Sequence, residues 1–89
     1  MKELSQTKQF SKDIKRLTKR GKELLKLQEV VLLLSNGVKL PEKNKDHSLG
    51  GDWKGSRDCH IEPDWVLIYT TNKDFLRLER TGSHSDLFD

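Results

Sequence analysis

Eighty-nine residues, a third of them apolar and about as many charged, suit one domain spanning residues 1–89 with a thin core. No run approaches the ~18 apolar residues of a membrane span, and the start MKELSQTKQFSKD carries no apolar stretch of a secretory signal. One cysteine, Cys59, excludes an internal disulfide and fits a reducing cytoplasm. The net charge of +3 hides an asymmetry: residues 1–45 hold twelve Lys/Arg against five Asp/Glu, a balance of +7, and residues 46–89 hold five against nine, a balance of −4. The basic half suits a polyanion such as nucleic acid, although an acidic protein would be attracted as well.

Met1 to Lys8 is short and weakly alternating, which predicts an edge strand. From Phe10 to about Arg20 the apolar residues Phe10, Ile14 and Leu17 recur at helical spacing, with Lys12, Lys15, Arg16 and Lys19 on the opposite side. This is an amphipathic helix with a basic outer face, and Gly21 stops it. A second helix is expected from Lys22 to about Ser35. Its apolar residues run almost all the way round, so it must be covered by its own sheet or in part by another chain. Asn36 to Ser56 has Pro41, four glycines and no clear period, and reads as a long loop carrying His47.

The remainder reads as β. Arg57 to Glu62 alternates, with Arg57, Cys59 and Ile61 on one side and Asp58, His60 and Glu62 on the other. Pro63-Asp64 is a turn pair. Trp65 to Thr70 is a nearly continuous apolar run, as expected of a central strand covered on both faces. Asn72-Lys73-Asp74 is a second turn, Phe75 to Arg80 the next strand, and Gly82 a break before the terminal SHSDLF. The fold class is α+β: two N-terminal helices packed on an antiparallel sheet.

Three histidines, His47, His60 and His84, accompany Asp64 in the second half. Imidazole gives and takes protons near neutral pH without a cofactor. Cleavage of an RNA phosphodiester needs two proton-transfer groups and one or two cations, because the 2′-hydroxyl nucleophile is already in the substrate. Arg57 and Arg80 are cations at strand ends, and Trp65 and Phe88 could stack exposed bases. The bland alternatives are real. A strand histidine is usually a surface or hydrogen-bonded structural residue, and tryptophan is more often core than a base platform. A lysine stripe is ordinarily a solvated face. Histidine spacings of 13 and 24 match no compact zinc signature, so neither metal nor cofactor is expected.

The pattern DHxLxGxWKGxRDxHIEPDW from Asp46 to Trp65, followed by LIY at 67–69 and RTGSHSxLF at 80–88, resembles the YafQ subgroup of RelE-type bacterial toxins. The resemblance runs from the first helix to the end of the chain. It implies the RelE/microbial-ribonuclease fold, with a short C-terminal helical turn. It implies a toxin of a type II toxin–antitoxin system that enters the ribosomal A site and cuts mRNA, leaving a 2′,3′-cyclic phosphate. It also implies a cognate antitoxin of the DinJ/RelB kind, through which alone operator DNA is bound. By position, the family's functional histidines fall on His47, His60 and His84, its acid on Asp64 and its aromatic contacts on Trp65 and Phe88. His84 is the expected general acid and Asp64 or His60 the expected base, with His47 and Arg57 stabilising the phosphate. The basic face of Lys12, Lys15, Arg16 and Lys19 is expected to grip ribosomal RNA.

Two other classes compete. A non-catalytic, ParE-like inhibitor on the same scaffold would lack the catalytic histidines. A DNA-binding repressor would need a recognition helix, and no such pattern is visible.

Overall fold

The computed structural model describes residues 1–88. Strand β1 (Glu3–Gln6) leads into helices α1 (Lys8–Lys19) and α2 (Leu24–Ser35). Strands β2 (His47–Ser48), β3 (Arg57–Glu62), β4 (Trp65–Thr71) and β5 (Phe75–Gly82) follow, and helix α3 (His84–Phe88) closes the described chain. Among these residues five strands form one sheet in the order β1-β5-β4-β3-β2. The class is α+β, as the pattern predicts.

Local chemistry sets the helix ends. The Thr7 side chain caps α1 by accepting from the Phe10 N–H at 2.9 Å, while its own hydroxyl donates to the Glu79 carbonyl at 2.8 Å. One residue therefore fixes both the start of α1 and its seat on β5. Gly21 (φ 79°) and Gly37 (φ 70°) take the left-handed conformation just after each long helix, where a side chain would be strained.

The sheet departs from expectation in one respect. Strand β1 pairs with β5 in parallel, from Glu3 opposite Phe75 to Gln6 opposite Leu78, so the sheet is mixed. The cause is connectivity: α1 and α2 carry the chain across one face before it returns, and such a crossover permits parallel pairing. The long loop also holds more order than its composition suggests, with 3₁₀ turns at Glu42–Asn44 and Gly51–Trp53 flanking β2.

Both faces of β4 are buried. On one, Phe10, Leu17, Leu27, Val30 and Leu34 of the helices meet Cys59, Trp65, Leu67, Tyr69, Leu76 and Leu78. On the other, Val66 and Ile68 are covered by Leu87 of α3 with Leu49 and Trp53 of the loop. That second, thinner cover brings α3 and the loop over the face where β3 presents Asp58 and His60. Helix α2 is not covered all round, for Leu25 and Leu32 stay exposed.

Candidate active site

Strand register assembles the site. His47 pairs with Asp58, and Asp58 with Ile68, so these three share the sheet face away from the long helices. One step along, His60 pairs with Val66, and Val66 with Gly82 two residues before His84. The rings of His60 and His84 lie 5.3 Å apart between centroids, and that of Phe88 lies 6.0 Å from His84. Asp64, at the β3–β4 corner, accepts from His84 twice: its Oδ1 is 2.9 Å from the imidazole Nδ1 and 3.1 Å from the backbone N–H.

Each imidazole has its Nδ1 against an oxygen: the Lys45 carbonyl at 2.7 Å for His47, the Pro63 carbonyl at 3.2 Å for His60, and Asp64 for His84. A proton on Nδ1 satisfies these oxygens, which leaves Nε2 of the neutral ring as the proton acceptor. The three differ in what faces them. His60 meets a neutral carbonyl, His47 a carbonyl and the Asp58 carboxylate at 3.0 Å, and His84 the Asp64 carboxylate. The hydrogen bonds from the His84 side chain and backbone in turn hold the Asp64 carboxyl below its ordinary range.

Asp58 is the residue the sequence reading passed over. It is 4% exposed, and burial pushes its carboxyl up from the ordinary range while charge on His47, His60 and His84 pulls against that rise. Its Oδ1 lies 3.0 Å from His47 Nδ1, yet no hydrogen bond is aligned to that oxygen among the described residues. A buried carboxylate therefore lies beside His47, on the face that His60 shares. The signal was its place in RDCHIE, two residues before His60 on the same side of the strand.

Two acids lock the elements together, Asp13 joining α1 to β5 and Asp86 joining α3 to α1. Asp13, fully buried in α1, accepts from Arg80 Nε (2.8 Å), Arg16 (2.9 Å) and the Thr81 N–H (3.1 Å). Asp86 takes both arms of Arg20, at 2.6 and 3.0 Å, and exchanges hydrogen bonds with Ser83 as a capping box. Arg20 above all holds the Asp86 carboxyl well below the usual carboxylate range. Gly82 sits so close that a Cβ there would lie 2.8 Å from Asp86 Oδ2. Asp13 was legible as an acid on the apolar stripe of Phe10, Ile14 and Leu17, and Asp86 as the fourth residue of SHSD.

Several expected contacts fall elsewhere. Trp65 is 0% exposed and donates its indole N–H to the Thr81 hydroxyl at 2.9 Å, so its ring packs in the core and presents no face to a base. The cause is its register on β4, whose Trp65, Leu67 and Tyr69 point to the helices. Arg80 shares a face with Ile68 by register, but its guanidinium is held by Asp13 and is not a free cation. Arg16 is likewise drawn out of the basic stripe by Asp13 and Asp86, leaving Lys12, Lys15 and Lys19 exposed there. Glu62, expected beside His60, pairs instead with Trp65 because a bulge follows His60, and its carboxylate is held by Lys22 and Lys26. Arg57, expected beside the histidines, pairs with Tyr69 on the helix-side face and bonds Asp46 at 3.2 Å, because it alternates with Asp58 along β3; Phe88 keeps an exposed ring beside His84.

The fold and the His–Asp cluster define a small α+β protein equipped for proton transfer on one sheet face. Residues 2–89 match the family described as "Bacterial toxin of type II toxin-antitoxin system, YafQ", and the chain belongs to that family. It is 52% identical over 81 residues to the mRNA interferase toxin YafQ of Escherichia coli K12, an alignment covering 90% of this chain and 88% of that one. The toxin in the crystal structure of the E. coli DinJ–YafQ complex superposes with a TM-score of 0.92 at 47% identity, covering 99% of this chain and 98% of that one. A metal-bound toxin from Helicobacter pylori also superposes with a TM-score of 0.92, at 43% identity, covering 99% and 100%.

Proposed function

We propose that this toxin is an endoribonuclease that cuts mRNA in the ribosomal A site by metal-independent acid–base catalysis. The observation that carries the reading is the His84–Asp64 pair at 2.9 Å with the His60 ring beside it. His60 Nε2, or His47 Nε2 from the neighbouring strand, takes the proton of the 2′-hydroxyl. The 2′-oxygen attacks phosphorus and the bond to the 5′-oxygen breaks. His84, protonated against Asp64, delivers a proton to that leaving oxygen. The products are a 2′,3′-cyclic phosphate and a 5′-hydroxyl. Asp64 is thus engaged as the partner of the acid, and the base is an imidazole. Phe88 offers a stacking face beside His84.

The relative solved with DinJ supports a cognate antitoxin that covers this face, and the exposed Lys12, Lys15 and Lys19 suit ribosomal RNA. The toxin acts as one domain over residues 1–89, in the cytoplasm where ribosomes are. No described helix is long and apolar enough to cross a membrane.

Induction in a host with mapping of RNA 5′ ends tests the reading. In-frame cuts within translated messages, insensitive to chelator in a purified system, are expected. Growth arrest with intact mRNA would move the protein to the inhibitor class. Chelator-sensitive cutting would implicate an ion of the sort bound by the H. pylori toxin.

A further inference from the structure

Beside His60, along the end of β3, lies a cleft of about 320 Å³ walled by residues 43–45 and 60–63. We infer that this cleft binds a nucleotide of the message next to the scissile phosphate, with Lys43 and Lys45 on its phosphodiester. The inference rests on the ribonuclease reading and adds a subsite to it.

Charge is the first argument. Lys43 and Lys45 are exposed, and neither ammonium has a carboxylate within 4.0 Å among the described residues. The carboxylate on the wall, Glu62, is already held by Lys22 at 3.0 Å and Lys26 at 2.8 Å. The cleft therefore presents two uncompensated cations and one neutralised acid, a composition suited to an anion.

Construction is the second. Asn44 is 6% exposed and donates its side-chain N–H to the His60 carbonyl at 2.7 Å, pinning the Glu42–Asn44 turn to β3. Lys45 then takes φ 49° and ψ 43°, and among the described residues it is the one non-glycine with positive φ. A left-handed lysine costs about 1–2 kcal/mol and persists where the surroundings hold it. Here the twist delivers the Lys45 carbonyl to His47 Nδ1 at 2.7 Å while its side chain lines the cleft with His60. One strained residue thus joins the two basic imidazoles to the cleft.

Size is the third, because the volume lies at the lower end of small-ligand pockets, where a single nucleotide fits. His60 lines the cleft and its ring lies 5.3 Å from that of His84, so an occupant beside it is the message and not a distant rRNA phosphate.

The test pairs Lys43→Gln with Lys45→Gly, since glycine keeps the left-handed backbone and removes the charge. In the first arm, an uncleavable 2′-deoxy trinucleotide is titrated into the free toxin and followed by NMR. The His60 and Lys45 signals are expected to shift, and the double variant to bind about five- to tenfold more weakly at low salt. In the second, programmed ribosomes carry mRNA with single neutral methylphosphonates flanking the cut. On one flank the neutral linkage is expected to raise KM for the unaltered protein by a similar factor, and the double variant to lose nothing further there. A variant whose losses are the same on charged and neutral linkages would overturn the subsite, as would trinucleotide shifts that bypass the cleft. Loss in the variant with no effect of any neutral linkage would place the lysines on ribosomal RNA and overturn it too. Failure of the unaltered protein to cut the normal message would sink the ribonuclease reading itself, a result the other outcomes do not resemble.

Discussion

Asp64 Oδ1 receives both the ring Nδ1 and the backbone N–H of His84, at 2.9 and 3.1 Å. One carboxylate oxygen therefore sets the tautomer of the imidazole and the start of the helix that carries it. His84→Gln should lower cleavage on programmed ribosomes by about 10²- to 10⁴-fold, as expected for loss of a general acid. Asp64→Asn keeps an acceptor but removes the charge opposite the imidazolium. Its single-turnover cleavage should fall by about 10- to 100-fold, because the ring loses the anion that orients it. An unchanged rate would mean that Asp64 only shapes the corner.

Asp58 should trade stability for activity. Burial raises its folded-state value above the unfolded one, so its ionisation disfavours the fold increasingly as pH rises between the two. Asp58→Asn removes that penalty. The variant should be more stable than the parent near neutrality, and equally stable in acid. Cleavage should fall at the same time, because His47 loses the negative charge beside it. Denaturant titrations at several pH values, beside single-turnover rates, check both halves.

Asp86 gives the opposite sign. Its folded value is depressed, so its contribution is present above the ordinary carboxylate range and lost as pH falls through the folded value. Asp86→Ala should flatten the acid side of the stability curve. It should also lower kcat more than it raises KM, since α3 would hold His84 less firmly while the lysine surfaces are untouched. Equal kcat in the variant would show that Leu87 alone seats the helix.

Trp65 is a test of core against contact. Trp65→Phe keeps an aromatic face but loses the hydrogen bond to Thr81, and should cost about 1–3 kcal/mol of stability. Trp65→Ala should cost about 3–5 kcal/mol. Below its midpoint of unfolding, the Phe variant should cut with nearly unchanged kcat. A large loss of kcat in a fully folded Trp65→Phe protein would return the ring to the substrate.

Charge reversal at Lys12, Lys15 and Lys19 should weaken ribosome binding and reduce its salt dependence, leaving the melting temperature nearly unchanged. Arg16→Glu should instead destabilise the protein, because Arg16 answers the buried Asp13. Sedimentation with ribosomes at two ionic strengths, together with thermal melts, separates the two behaviours.

The sequence pattern marks what short-range periodicity controls. The amphipathic α1, the alternation of β3, the doubly buried β4 and the Pro63-Asp64 corner all follow from spacing, and so does the nearness of His60 to that corner. Long-range pairing is written more weakly. Nothing local in ELSQ tells whether it runs parallel or antiparallel to Phe75–Gly82. The bulge after His60 turns Glu62 to the other face without any glycine to announce it. Ion pairs across more than sixty residues, such as Arg80–Asp13 and Arg20–Asp86, carry no local sign, so cations that look free in the sequence are engaged in the fold. His47 and its strained neighbour Lys45 lie in a stretch without period, where only three-dimensional contacts reveal order.

Cys59 lies under the helices with no exposed surface, and burial pushes its thiol well above the ordinary range. Peroxides and alkylating agents attack the exposed thiolate, and here there is neither exposure nor thiolate. The protein therefore offers no reactive cysteine by which an oxidant could switch it off, and its control has to come from contacts made at its surface.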